Sequence, residues 1–226
     1  MWQALNKIQF LLATTEIGKL INDIVARLEL YRSEFGLEDT NYYRQKLSHQ
    51  SRFDTKEVIF VKRLLQRELP FLARQRIGNE LFSKYVTNDE ASFAGDLYMD
   101  KNDLGQMKEA GMYIGSHGFE HDWLEIFDRA HQEKQIDRSV QFLRDLGWKT
   151  DAWVMCYPYG SYNQTLLELL SKKGCVAGLT TRVDIANLSM DNLLTLPRLD
   201  TNDLPKQGEA PASEWTSQAN FERHQV

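Results

Sequence analysis

The second half of the chain alternates between two patterns of apolar residues. Short apolar runs at Met112–Ser116, Trp153–Tyr157, Cys175–Thr180 and Leu193–Leu196 have the length of buried strands. Between them, Ile136, Val140 and Leu143, and then Leu166, Leu167 and Leu170, recur at helical spacing. Gly147 and Gly174 follow these stretches where a helix C-terminus favours glycine. The alternation predicts an α/β fold with a parallel sheet, either open or curled into a barrel.

The first half reads differently. Ile8–Ala13 is an apolar run that suits a buried strand, although one this short does not separate strand from helix. Ile17, Leu20, Ile21, Ile24, Val25 and Leu28 then mark a helix that Gly36 ends. Asp54 and Glu57 form a capping-box pattern before Val58, Ile59, Val61, Leu64 and Leu65. Pro70 opens another amphipathic stretch through Ile77, Leu81 and Phe82, and Asp100 caps a helix that stops at Gly111. The simplest division is one domain over residues 1–226, with residues 1–35 a strand and helix of the sheet layer and 36–98 a helical insertion or cap. Residues 99–205 then form the half that bears the motifs, and 206–226, with Pro205, Gly208 and Pro211 at or near their start, a tail.

Composition narrows the function classes. With 226 residues, 42% of them hydrophobic, the chain can bury a sizeable core. A formal net charge of -5 argues against a nucleic-acid footprint, which needs concentrated Lys and Arg. No run approaches the roughly 18 to 20 apolar residues of a membrane span, and no leader pattern opens the chain, so a soluble cytoplasmic protein is expected. Cys156 and Cys175 both fall in apolar runs, where a thiol acts as a small hydrophobe and no disulfide framework is indicated.

In parallel α/β folds, functional groups gather beyond the carboxyl ends of the strands. Three such ends carry unusual residues. The first is Gly115-Ser116-His117-Gly118-Phe119-Glu120-His121-Asp122. If His121 begins a helix, both imidazoles reach one point and can bind a divalent metal such as zinc. The alternative is two histidines at a helix start bonded to nearby backbone. His49, His131 and His224 lie in polar stretches and read as surface residues.

The second end is Cys156-Tyr157-Pro158-Tyr159-Gly160-Ser161-Tyr162-Asn163, where Pro158 and Gly160 bound a stiff turn. Such a turn can aim the main-chain N–H of Tyr159 at a ligand oxygen, or can simply lead into a helix capped by Asn163. The third is Leu196-Pro197-Arg198-Leu199-Asp200, where Arg198 and Asp200 suit either substrate binding or a structural ion pair.

Taken in this order, the three ends resemble the polysaccharide deacetylases with a NodB-type domain, carbohydrate esterase family four, over about residues 98–205. The resemblance implies a partial, distorted (β/α) barrel with an N-terminal helical insertion or cap. It implies a hydrolase of carbon–nitrogen bonds that removes an acetyl group from an N-acetylated carbohydrate, in carbohydrate metabolism or surface-glycan assembly. His117 and His121 fall on the family's two motif histidines, which bind the metal. Pro158, Tyr159 and Gly160 fall on its oxyanion turn, with the Tyr159 amide as donor.

The sequence contains no Asp-Asp pair to supply the family's base and third ligand, has Cys156 where an arginine begins the turn motif, and has no Leu-x-His near the C-terminus to supply the acid. An N-terminally shortened member is therefore expected, with an oligomer or partner covering the incomplete barrel. The alternative is a truncated, non-catalytic carbohydrate-binding or partner-binding module.

Overall fold

A computed structural model describes residues 4–211, 213–215 and 217; His224 and residues 218–226 of the expected tail lie outside them. The contacts divide the chain into two compact units, Met1–Met99 and Asp100–Val226.

The first unit is helical: α1 (Ala4–Thr14), α2 (Ile17–Phe35), α3 (Thr40–Leu47), α4 (Lys56–Arg63), α5 (Phe71–Tyr85) and α6 (Glu90–Leu97). The Ile8–Ala13 run is helix and not strand. Ile8 and Leu11, three residues apart, are fully buried, whereas Gln9 and Ala13 are exposed, which is a helical stripe. That stripe joins a core with Leu20, Ile24 and Leu28 of α2, and with Ala73, Ile77 and Leu81 of α5.

Gly36 ends α2 in the left-handed conformation (φ 63°), its N–H bonded to the Arg32 carbonyl. The cap of α4 falls one residue later than the sequence pattern indicates. Thr55 accepts from Val58 N, while Asp54 instead pairs with Lys62 at 2.7 Å. A short π-helical turn, Leu64–Glu68, follows α4 and stops before Pro70.

The second unit begins with α7 (Lys101–Glu109), whose capping box joins Asp100 and Asp103. It contains α8 (Arg129–Asp145), β1 (Trp153–Cys156), α9 (Gln164–Lys172) and β2 (Cys175–Leu179). The strands pair in parallel, Met155 opposite Gly178 and Cys156 opposite Leu179. Trp153, Met155 and Tyr157 bury one face against Leu124, Ile136, Val140, Leu166 and Leu170.

Two of the four expected strands reduce to single parallel bridges: Ser116 with Met155 on one side, and Leu179 with Leu196 on the other. Met112 and Tyr113 are exposed and pair with nothing that would extend a ladder. Leu193–Thr195 instead coils into a 3-10 turn capped by Asn192, leaving Leu196 alone to donate to the Gly178 carbonyl. The described residues thus form a mostly helical α/β fold, and the sheet is a two-stranded parallel core with one bridge at each edge.

Candidate functional site

Because every pairing in the sheet is parallel, Ser116, Cys156, Leu179 and Leu196 all run out at the same end. His117, the turn after Tyr157, and Arg198 follow three of these residues within two positions, so the topology gathers them there.

The His117 ring has a fixed orientation. Its Nδ1 lies 2.6 Å from the Cys156 carbonyl oxygen, which can only accept, so Nδ1 carries the hydrogen. In the neutral ring Nε2 then keeps its lone pair, the tautomer a metal ligand requires. His121 Nε2 stands 2.9 Å from His117 Nε2, with the rings nearly perpendicular at 75°. Two nitrogens bound tetrahedrally to zinc would be about 3.3 Å apart, so the pair needs to part by only a few tenths of an ångström.

His121 does not begin a helix. It sits in the left-handed region at φ 56°, in an irregular stretch before a 3-10 turn at Leu124–Ile126. The imidazoles meet through this bend and not through helical spacing. The His121 Nδ1 is buried without a hydrogen-bond partner. Burial, with the charge of His117 second, lowers the His121 pKa to about 4. His117 shifts the other way, raised chiefly by the Cys156 side chain beside it against an opposing cost of burial.

Pro158–Gly160 forms one tight 3-10 turn, inside which Tyr159 is left-handed at φ 60°. His121 and Tyr159 are the two non-glycine residues with positive φ among the described residues, and their rings touch edge to face at 5.1 Å. Such conformations cost on the order of 1–3 kcal/mol each and persist where surrounding structure enforces them. Trp123 stacks flat on Tyr159, with ring centroids 4.5 Å apart and planes within 6°.

Gly118 is left-handed at φ 74° and faces Pro158, a backbone conformation that favours glycine. Ser116, one position before His117, supplies a hydroxyl to the Gly118 N–H at 3.3 Å.

Apart from the helix cap Asn163, the residues that pin the loop and the turn are ones that sequence reading did not single out. Gln135 accepts from Glu120 N at 2.8 Å and donates to the Glu120 carboxylate at 2.6 Å. Ser161 Oγ accepts from Glu125 N, and Asn163 donates to the Glu125 carbonyl while capping α9. Gln132 donates to the Leu124 carbonyl. Gln132, Gln135 and Ser139 are buried polar residues that recur along α8 beside Ile136 and Val140, a pattern visible in the sequence.

Arg198 is exposed and donates to Cys156 Sγ at 3.0 Å, and it forms no ion pair with Asp200. Asp200 is committed to the turn at Thr201–Asp203, accepting from Asn202 N. Cys156 is half-buried and Cys175 buried, and both are free thiols.

Glu120, Asp122 and His131 form a second grouping, with donor atoms all within 4.8 Å of one another. His131, expected at the surface, is half-buried and stacks on Phe127 at 4.0 Å. Glu120 is already bonded to Gln135 and to Arg138 at 3.1 Å, and the Arg138 charge opposes a cation there. Among the described residues, no third His, Cys, Asp or Glu brings a donor atom within 4.8 Å of both His117 and His121. The donor set at the pair is therefore two imidazole nitrogens 2.9 Å apart.

A family model described as polysaccharide deacetylase matches residues 53–178, more than half of the 226. The chain belongs to the polysaccharide deacetylase family, and with it to the deacetylase-like hydrolases. Among solved structures it is similar to one titled Streptococcus pyogenes deacetylase PplD in complex with acetate, at 21% identity over 79% of each chain and a TM-score of 0.43. No curated protein matches the chain. Among the described residues, no helix is long and apolar enough to cross a membrane.

Proposed function

We propose that the protein is a metal-dependent deacetylase of an N-acetylated carbohydrate, acting in carbohydrate metabolism or surface-glycan assembly. The observation that carries this reading is the convergence of His117 Nε2 and His121 Nε2 at 2.9 Å, with the His117 tautomer set by the Cys156 carbonyl. Family membership supports the substrate class.

His117 and His121 would hold the cation, and zinc suits imidazole donors. A divalent ion bound there supplies Lewis-acid polarisation of the acetyl carbonyl and lowers the pKa of a water. The chain's own part is placement. The Tyr159 main-chain N–H, stiffened by Pro158 before it and Gly160 after it, would be the donor to the oxygen on which charge develops. Arg198, exposed and anchored on Cys156, offers guanidinium hydrogens to the sugar. Asp200 acts by holding the loop that follows Arg198.

A second reading, a carbohydrate-binding or partner-binding module without turnover, is favoured by the lack, among the described residues, of a third donor around the histidine pair. The exposed Met112 and Tyr113 at the sheet edge would then be covered by a partner or a second copy. The two readings separate in one assay. Acetate release from N-acetylglucosamine oligomers, in the presence of added zinc or cobalt and suppressed by chelator, is the result expected of the deacetylase. Absence of release with either metal favours the binding module.

The opposite shifts of the two histidines set the pH dependence of metal binding. His121 is already neutral above about pH 4, so it contributes no proton in the neutral range. His117, raised above 6.5, must lose its proton before Nε2 can bind a cation, so affinity falls as pH falls below its pKa. Calorimetry in buffers of different ionisation enthalpy is expected to find at most one proton released from the pair at pH 6. A release of two would contradict this assignment of the shifts.

A further inference from the structure

The deacetylase reading assigns no task to Trp123, two residues beyond His121 and in contact with the oxyanion turn. We infer that Trp123 is a positioning residue that locks the histidine bend to the Tyr159 turn, so that metal ligands and main-chain donor keep one relative geometry. The inference rests on the reading of His117, His121 and Tyr159 given above.

Two strained residues on separate segments touch one another, His121 at φ 56° and Tyr159 at φ 60°. A left-handed non-glycine residue relaxes unless its side chain is held. The Tyr159 ring is held by two neighbours: edge to face by His121 at 5.1 Å, and face to face by Trp123 at 4.5 Å with planes 6° apart. Swinging the ring free would break a parallel stack.

Trp123 also sits at the start of the Leu124–Ile126 turn, which Gln132, Ser161 and Asn163 tie down through Leu124 and Glu125. The indole therefore has a fixed base from which to hold Tyr159. His117 needs no such support, because its ring is already set by the Cys156 carbonyl. Of the two histidines, His121 is the one whose position depends on the aromatic stack.

The test compares Trp123→Leu, which keeps apolar bulk but loses the flat face, with Trp123→Phe, which keeps a ring able to stack. Zinc affinity and steady-state turnover of an N-acetylglucosamine oligomer are measured on the full chain for each. Trp123→Leu is expected to lower kcat roughly 10- to 100-fold with KM within about twofold, and to weaken zinc at least about fivefold. Trp123→Phe is expected to recover most of both.

Tyr159→Leu removes the other half of the stack, serves if Trp123→Leu does not fold, and is expected to weaken zinc to the same degree. In the double variant the two zinc losses should not multiply, since both remove one interaction. Wild-type zinc affinity and kcat in Trp123→Leu would overturn the inference. So would equal losses in the Leu and Phe variants, or a KM rise at constant kcat, which marks direct sugar contact. A wild-type protein that binds zinc no better than His117→Ala sinks the underlying metal reading instead, and this inference with it.

Discussion

His117→Ala is expected to weaken zinc binding more than about 100-fold, since it removes one of two donors, a larger loss than the roughly 10- to 100-fold seen when a residue hydrogen-bonded to a ligand is changed. The fold should survive. His117 is exposed, and its hydrogen bond to the Cys156 carbonyl is worth about 1 kcal/mol or less at such a position. Calorimetric titration with zinc, alongside a thermal melt, reads both effects. A variant that melts like the parent and binds zinc equally well would remove His117 from the site.

Gly178→Ala is expected to have the largest effect on stability. A Cβ at Gly178 would lie 2.2 Å from the Leu194 carbonyl oxygen and 2.6 Å from the Tyr157 hydroxyl. Neither neighbour can yield easily. The Tyr157 hydroxyl donates to that same carbonyl at 2.7 Å, and Leu196 N donates to the Gly178 carbonyl at 2.8 Å. Burial keeps the Tyr157 phenol protonated, so its donor role persists across the neutral range. Overpacking of this kind costs about 3 kcal/mol or more and should lower the melting temperature by roughly 10 °C. A melt within a degree or two of the parent would show that the 194–196 segment is free to move away.

How much of this was legible beforehand depended on whether local sequence or distant partners decided each element. The α2 stripe, the Asp100 and Asn163 caps, and the Gly36, Gly147 and Gly174 termini follow from side chains and φ preferences within a few residues, and all occur as read. Ile8–Ala13 did not, because a six-residue apolar run suits either period. The partner surface on α5 decided for helix. Met112–Ser116 and Leu193–Leu196 have strand composition but pair through one residue each, since a ladder needs a neighbour that the run itself cannot supply.

The site shows the same division. That His117 and the turn Pro158–Gly160 lie at one end of the sheet could be read, because strand ends in a parallel sheet converge, which is a property of topology. The route by which His121 reaches His117 could not be read. Helical spacing predicts a helix start, whereas a left-handed bend delivers the ring. Trp123 and Gln135 were missed for a related reason: each acts on the opposite loop or helix, across 36 and 15 residues of sequence, where no local pattern pairs them.

A zinc-loaded crystal and its anomalous difference map test most directly whether one ion is shared by both imidazoles. The account predicts a peak bonded to the facing Nε2 atoms of His117 and His121. A peak at Glu120, Asp122 and His131 with none between the two rings would contradict it.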